Sequence, residues 1–396
     1  GDYPNFDVER VDGTVTDDSA VDISLISRSA FTIVHIVAAQ DLILLTDGNE
    51  WIVDGSETVK PTRAVPRSQT QHGASNCDVQ YIGNRLVYVQ RRSSSVRDLG
   101  YTYESDNYNG VDLTLLAKHL INGHSLLSSA YCQEPDSILY YVRDDGVILA
   151  LTLIKEQDVF GWAHYITDGK YEDICSIPNG NEDSLYVVVN RTINGETRRY
   201  IERLDSPKDS DNIRDYTLMD SMVEINGATA TTVSVPHLTG KTVNAIIDDT
   251  VVEGLQVASD GNLTLPRAAA SNLRVGLSYE MRIALPQVAM DNLKDGTLQG
   301  RTVKTNAVIL RLRNSRGGHI GISFNRGMDA IGDASLIETM YTGDVKVNVP
   351  AQGKGFDNNA SVCILHDEPY PFNLLSVVRD VTIGGGAIAR YNNNPL

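Results

Sequence analysis

Cysteine is scarce in this 396-residue chain, and its positions exclude several classes of protein. The four residues stand far apart, with no CxxC pair and no Cys/His combination at the spacing of a zinc site. Scattered single cysteines are typical of buried side chains in a reducing compartment rather than of a disulfide framework. We therefore expect free thiols and no metal centre at Cys77, Cys132, Cys175 and Cys363.

Long apolar runs are also missing. No run approaches the roughly 18 residues that span a bilayer, and no charged-then-apolar leader opens the sequence. We expect no stable membrane insertion. Because residue 1 is Gly1 rather than methionine, we expect a processed chain or part of a longer protein.

Positive charge is in deficit, since 34 Lys and Arg stand against 51 Asp and Glu, for a formal net charge of −17. Such a surface repels nucleic acid and anionic membranes. It favours solubility, and it also suits a surface past which DNA slides without sticking. The main positive cluster is Arg91, Arg92 and Arg97. We treat it as a candidate contact for DNA phosphate or an acidic neighbour, with paired charges on a strand surface as the alternative.

Tryptophan and phenylalanine are rare, at 2 and 6 residues, whereas 18 tyrosines are present. Tyrosine suits strands with one wet face, because its ring packs while its hydroxyl reaches water. The clearest strand pattern is in residues 137–165, where an Asp-Gly turn at 144–146 separates two runs of β-branched and aromatic residues. This pattern predicts a hairpin within a meander of at least three antiparallel strands.

The meander recurs along the first half of the chain. Its second strands align on Leu42, Leu86, Ile138 and Leu185, with spacings of 44, 52 and 47 residues. Propeller blades of four strands repeat about every 40–50 residues. The longest interval contains the one predicted helix, residues 113–121, with Asp112 as its N-cap. The sequence therefore predicts an all-β fold, with a propeller-like antiparallel β platform over 1–205 and one short helix.

The pattern changes after Leu204. Residues 205–215 are polar and rich in turn formers, which indicates a boundary. Six short strands between residues 231 and 284 then predict a small barrel or sandwich, which we assign to 217–290. Long strands return from residue 304, so we assign 300–396 to the β platform, ending in a flexible or extended arm.

Two further groups resemble metal ligands. His119 and His124 stand five residues apart with no third ligand nearby in sequence, so a packed or capping role is the alternative. Asp205, Asp209 and Asp211 loosely resemble a calcium loop. They lack the glycine and terminal glutamate that such a loop needs, which favours a solvated linker.

Several strings resemble the tail nozzle (tail tubular protein B-like) family of short-tailed bacteriophages, and they cover nearly the whole chain in order. They are LILLTDGNEW (42–51), QRRSSSVRDLGYTYESDNYNGVDLTLLAKHL (90–120), QEPDSILYYVRDDGVILALTLIKEQDVFGWAHYITDG (133–169), NRTINGETRRYIERL (190–204), MYTGDVKVNVP (340–350) and DEPYPFNLLSVV (367–378). The resemblance implies a propeller-like platform interrupted by a β-barrel similar to the FCCH module of ubiquitin-activating enzymes. No cysteine lies between Cys175 and Cys363, so the module cannot carry a thioester.

The resemblance also implies a structural role without catalysis or cofactor. Six copies are expected to form a ring at the distal end of the DNA-ejection conduit. Its partners are the tail adaptor and the tail fibres or spikes, and double-stranded DNA passes through without specific binding. The expected location is the virion tail, after assembly in the cytoplasm of the host bacterium.

Two other functions stay open. Propellers often host glycoside hydrolases with paired carboxylates at strand ends, although no Gly-x-Ser-x-Gly or Ser/His/Asp pattern stands out here. A receptor- or glycan-binding tail module is the second alternative. Exposed loop aromatics would serve it, with Tyr101, Tyr103 and Tyr108 as candidates.

Overall fold

The fold is a series of antiparallel sheets in two compact units. The computed structural model describes residues 13–16, 19–27, 30–55, 59–61, 64–93, 95–206, 210, 212–227, 230–289, 297–298, 301–325, 327–332, 340–349 and 361–384. One unit comprises 1–192 with 197–206, and the other comprises 193–196 with 207–396. Asp209, Asp211 and the predicted arm after Gly384 lie outside the described residues.

The described residues of the first unit form four sheets, numbered here in chain order. Sheet 1 comprises β1 (Ile33–Ala38), β2 (Leu42–Thr46), β3 (Glu50–Val53) and β4 (Pro66–Thr70). Sheet 2 comprises β5 (Gln80–Ile82), β6 (Arg85–Val89), β7 (Val96–Thr102) and β8 (Asn107–Asn109). Sheet 3 comprises β9 (Leu126–Cys132), β10 (Ile138–Arg143), β11 (Ile148–Ile154) and β12 (Val159–Tyr165). Sheet 4 comprises β13 (Lys170–Asn179), β14 (Glu182–Ile193) and β15 (Glu196–Leu204).

Each of these sheets is a meander, because strands that follow one another in the chain are also neighbours in the sheet. The four positions that were aligned in the sequence all fall on the second strand of a sheet. The all-β class is confirmed. Closure of the sheets into a propeller stays a prediction.

Turn chemistry explains why the chain reverses at these points. Gly146, between β10 and β11, has a φ of 89°, and Asn194 and Gly195, between β14 and β15, have φ of 51° and 80°. Two successive residues with positive φ form the type I′ turn, whose twist matches that of the flanking strands. Asn and Gly tolerate this backbone conformation better than other residues do.

The core lies between successive sheets, and the central strands contribute to it with both faces. On β10, Leu139 and Tyr141 pack towards sheet 2, whereas Tyr140 and Val142 pack towards sheet 4. Alternate residues of a strand point to opposite faces, so a strand buried on both sides must be apolar throughout. Similar clusters join sheet 1 to sheet 2 and sheet 2 to sheet 3.

The predicted helix at 113–121 is wrong. Residues 113–117 form turns, and only Lys118–Leu120 form one turn of 3-10 helix. The Leu113 amide donates to the Val96 carbonyl, and its own carbonyl accepts from Trp162 Nε1 at 2.9 Å. Because the Leu113 carbonyl accepts from Trp162, it does not accept from the Ala117 amide, which donates to the Thr114 carbonyl instead. Leu116, within the predicted helix, is 90% exposed.

The second unit contains two groups of strands, each with its own core. The first group comprises β16 (Asp220–Asn226), β17 (Thr232–Ser234), β18 (Thr242–Ile247), β19 (Thr250–Gln256), β20 (Asn262–Thr264) and β21 (Asn272–Leu277). Their sheets, ordered β16-β21-β18-β19 and β17-β20, enclose one apolar cluster. These strands lie within residues 217–290, and that this segment is an inserted small β-barrel stays a prediction.

The second group pairs two sheets over another apolar cluster. One sheet has the order β22 (Met281–Leu285), β27 (Val362–His366), β24 (His319–Gly321) and β25 (Asp329–Ala330). The other has the order β26 (Tyr341–Asn348), β23 (Val303–Ser315) and β28 (Asn373–Ile383). Strand β22 was assigned to the module at 217–290, but it pairs with β27 in this second group. That 1–205 and 300–396 share one platform stays a prediction.

Two buried tyrosines allow a matched test of how the sheets of the first unit are held. The hydroxyl of Tyr88 donates to Glu50 Oε1 at 3.1 Å, whereas that of Tyr141 has no hydrogen-bond partner among the described residues. We expect Tyr88→Phe to lower the free energy of unfolding by about 1–2 kcal/mol, because it leaves a buried acceptor with one donor fewer. Tyr141→Phe should leave it unchanged or raise it, since it removes an unpaired polar group.

Urea unfolding followed by tryptophan fluorescence measures this effect in the first unit alone, because both tryptophans, Trp51 and Trp162, lie there. If Tyr88→Phe and Tyr141→Phe lower the free energy of unfolding equally, the hydrogen bond from Tyr88 to Glu50 does not stabilise the fold as described.

Candidate functional site

The predicted positive cluster lies on the connection between β6 and β7. Arg91 and Arg92 are exposed on one tight turn, and Arg92 has a φ of 62°. Arg97 is half-buried on β7, where its Nε donates to Gln90 Oε1 at 2.9 Å. The same Gln90 oxygen accepts from Ser95 Oγ at 2.8 Å. Arg97 therefore supports the turn through Gln90. Within this cluster, the exposed positive charges are those of Arg91 and Arg92.

His124 meets two carboxylates that the sequence spacing did not indicate. Its Nδ1 lies 3.0 Å from Asp144 Oδ1 and 3.9 Å from Asp145 Oδ2, because the β10–β11 turn folds against the segment before β9. His119 is not part of this group. The three ligand atoms lie within 4.8 Å of one another, as in a metal site. However, Arg143 pairs with both oxygens of Asp145, which favours an ion-pair cluster over a cation site.

The cluster has a clear effect on its carboxyl groups. The pKa of Asp145 is lowered, chiefly by its hydrogen bonds with Arg143. Burial would raise the pKa of Asp144, but the hydrogen bonds from His124 and the Ser125 amide outweigh it, so that pKa is also lowered. These interactions fix the hairpin turn to the loop before β9.

Two buried carboxylates of the first unit each accept hydrogen bonds from neighbouring side chains. Glu50 is fully buried and accepts from the Tyr88 hydroxyl, the Thr70 hydroxyl and the His72 amide. Asp98 accepts from Arg85 Nε at 2.6 Å and also pairs with Lys155, which follows β11. This second pair joins sheet 2 to sheet 3. Both acids therefore accept hydrogen bonds that hold neighbouring parts of the fold together.

An aromatic surface lies at the exposed end of sheet 2. Tyr101 on β7 and Tyr108 on β8 are directly opposite each other, with ring centroids 5.7 Å apart at 64°. The Tyr101 hydroxyl donates to Asp106 Oδ1 at 2.7 Å, and the Tyr108 hydroxyl donates to Asp41 Oδ2 at 2.6 Å. The structure thus brings two of the three candidate aromatics together and adds two carboxylates that the sequence did not indicate.

Sheet 4 presents a second surface, called here the outer face of sheet 4. Its inner face carries Leu185, Val187 and Val189, which pack towards sheet 3. The alternation of side chains places Tyr186, Val188 and Cys175 on the opposite side, since Cys175 pairs with Tyr186. Ile177 and Ile201 also lie on the outer face and are 48% and 78% exposed.

Comparison with known proteins gives little further information. No family model matches the chain, and no curated protein matches it. One solved structure, described as a glycoside hydrolase, aligns with 88% of this chain and 83% of its own at 8% identity, with a TM-score of 0.24. A likeness at that TM-score says nothing about the function of this chain. Among the described residues, no helix is long and apolar enough to cross a membrane.

The role assigned to Asp98 predicts a pH-dependent loss of stability. Burial would raise the pKa of its carboxyl, but the hydrogen bonds from Arg85 and Lys155 hold the pKa below its usual value. Ionised Asp98 therefore stabilises the fold above a pH of about 4, and this contribution is lost as the pH falls through the folded-state pKa. At pH 7 we expect Asp98→Asn to lower the free energy of unfolding by about 3 kcal/mol.

The matched control is Glu172→Gln, which breaks the exposed pair between Glu172 and Arg199. It should cost about 0.5 kcal/mol or less. Urea unfolding followed by tryptophan fluorescence at pH 7 and pH 3 measures the free energy of unfolding of both variants. If Asp98→Asn costs the same at the two pH values, the ion pairs do not hold the sheets as described.

Proposed function

We propose that this chain is a non-enzymatic structural subunit of the tail nozzle of a short-tailed bacteriophage. The observation that carries the proposal is the outer face of sheet 4. Within the first unit, sheets 1 to 4 pack on one another in chain order through apolar faces. The last face of that series exposes Ile177 and Ile201. A neighbouring copy would cover it by the same face-to-face packing of sheets.

A cyclic assembly is the simplest result of such a contact. A ring requires the outer face of sheet 4 to meet a different face of the next copy, because contact with the same face would give a closed dimer. Contacts of this head-to-tail kind close into a ring when the rotation between copies permits it. The resemblance to tail nozzles implies six copies, with the tail adaptor and tail fibres or spikes as partners.

Charge supports the conduit role. The formal net charge of −17 disfavours adhesion of the DNA backbone, so double-stranded DNA would pass through the ring without specific binding. The two buried carboxylates described above are committed to structural hydrogen bonds, which favours a structural role over catalysis. Location in the virion tail follows from the same proposal.

The ring is tested by electron microscopy of the full chain mixed with the adaptor complex of its phage. We expect closed rings with the unaltered chain and at least tenfold weaker assembly with Ile201→Asp, because a charge would be buried at the contact. The control is Leu116→Asp, which alters a side chain of similar exposure on the connection between β8 and β9. If rings form equally well with Ile201→Asp, this face is not the contact between copies. If the chain forms no rings and does not bind the adaptor at any concentration, the nozzle function is excluded.

Cys175 provides a second readout of the same contact. It is exposed, whereas Cys77, Cys132 and Cys363 are buried, and burial raises the pKa of the Cys77 thiol to about 12. In the isolated chain we expect a maleimide to label Cys175 first, and all four thiols after denaturation. Labelling of Cys175 should slow at least tenfold in the assembled ring. An unchanged rate in rings confirmed by microscopy would contradict a contact through this face.

A further inference from the structure

The aromatic surface on sheet 2 has the features of a carbohydrate-binding site. It consists of Tyr81, Tyr101 and Tyr108 with the carboxylates of Asp41 and Asp106. Tyr81 on β5 lies opposite Leu86, which lies opposite Leu99 on the neighbouring strand, two residues before Tyr101. Residues directly opposite in a sheet share a face. The tyrosines therefore continue the buried face of sheet 2 outwards, where Tyr81 and Tyr101 are each 46% exposed.

The rings of Tyr101 and Tyr108 are held in place. Each hydroxyl donates to a carboxylate, and the two rings support each other edge to face. Asp41 is fixed in turn, because its second oxygen accepts from the Gly55 amide at 2.8 Å. Asp106 has a φ of 46°, and its amide donates to the Tyr103 carbonyl, which closes the turn between β7 and β8. A rigid aromatic surface loses little conformational entropy when it binds a ligand.

We propose that this surface binds an uncharged hexose polysaccharide. The C–H groups on one face of a pyranose ring carry partial positive charge and pack on the negative face of an aromatic ring. A carboxylate has about four lone-pair positions, and the Tyr101 hydroxyl occupies one at Asp106, so others can accept hydrogen bonds from sugar hydroxyls. Asp41 and Asp106 repel anionic ligands, which disfavours sialylated or phosphorylated sugars and nucleic acid.

The site lies within one chain and does not depend on ring formation. A shallow surface of this kind is expected to bind weakly, and several copies held together would strengthen the attachment through avidity. The inference therefore adds a receptor-contacting role to the structural one, and it fails or succeeds separately from the nozzle proposal.

The test uses the full chain on a glycan array that presents neutral tetrasaccharides of glucose, galactose and mannose beside sialylated versions of the same neutral cores. We expect binding to one or more neutral glycans and weaker binding to the sialylated version of each. Tyr101→Ala should reduce the affinity at least tenfold, because it removes the stacking ring. Tyr101→Phe, which keeps the ring and removes only the hydroxyl, should bind more tightly than Tyr101→Ala.

The matched control is Tyr279→Ala, since Tyr279 is 43% exposed and lies in the other unit. It should bind like the unaltered chain. Tryptophan fluorescence and circular dichroism check that each variant is folded, and Tyr81→Ala replaces Tyr101→Ala if the latter unfolds. The proposal would be overturned if the chain bound no glycan or preferred the sialylated versions. It would also be overturned if folded Tyr101→Ala, or its replacement Tyr81→Ala, bound as tightly as the unaltered chain.

Discussion

Burial of single strands on both faces is the constraint on which the first unit depends. Strand β10 contributes Leu139 and Tyr141 to one apolar cluster and Tyr140 and Val142 to the next. A sheet with such a strand at its centre cannot be stable alone, because half of its apolar side chains would be exposed to water. Sheet 3 therefore needs a neighbour on either side, and the unit is a series in which each sheet packs on the next.

A series of this kind must end, and its two ends differ. The outer face of sheet 1 carries Leu44, Trp51 and Val53, which side chains from outside the strands cover, among them Ile23 and Leu25. On the outer face of sheet 4, Tyr186 and Val188 are half-buried, whereas Ile177 and Ile201 are exposed. The two ends therefore differ in exposure, because other side chains of the same chain cover the outer face of sheet 1 but leave Ile177 and Ile201 exposed on sheet 4.

Acidic side chains of the first unit fall into two groups, those buried between sheets and those at the surface. Asp98 and Glu50 lie in or beside the contacts between sheets, and each accepts several hydrogen bonds. A buried carboxylate without such donors would be costly, so these acids depend on the sheets being correctly stacked. Asp41 and Asp106 lie at the surface instead, where they orient aromatic rings and still have lone pairs for a ligand.

The sequence alone determined the strands, the hairpins and the repeat. Alternation of apolar side chains and turn residues such as Asn194 and Gly195 act over a few neighbouring positions, so they can be read without knowing the fold. It also indicated Arg91, Arg92 and the loop tyrosines as surface candidates, because composition and charge are local properties as well.

Only the tertiary structure decided what distant segments do to one another. Residues 113–121 have a helical pattern, but the Leu113 amide donates to the Val96 carbonyl and the Leu113 carbonyl accepts from Trp162 Nε1. Strand β22 follows the small module in the chain yet pairs with β27, some 80 residues later. In the same way, Asp144 reaches His124 and Asp41 reaches Tyr108 across 20 and 67 residues. Sequence spacing carries no record of such contacts, because they form only when the sheets stack.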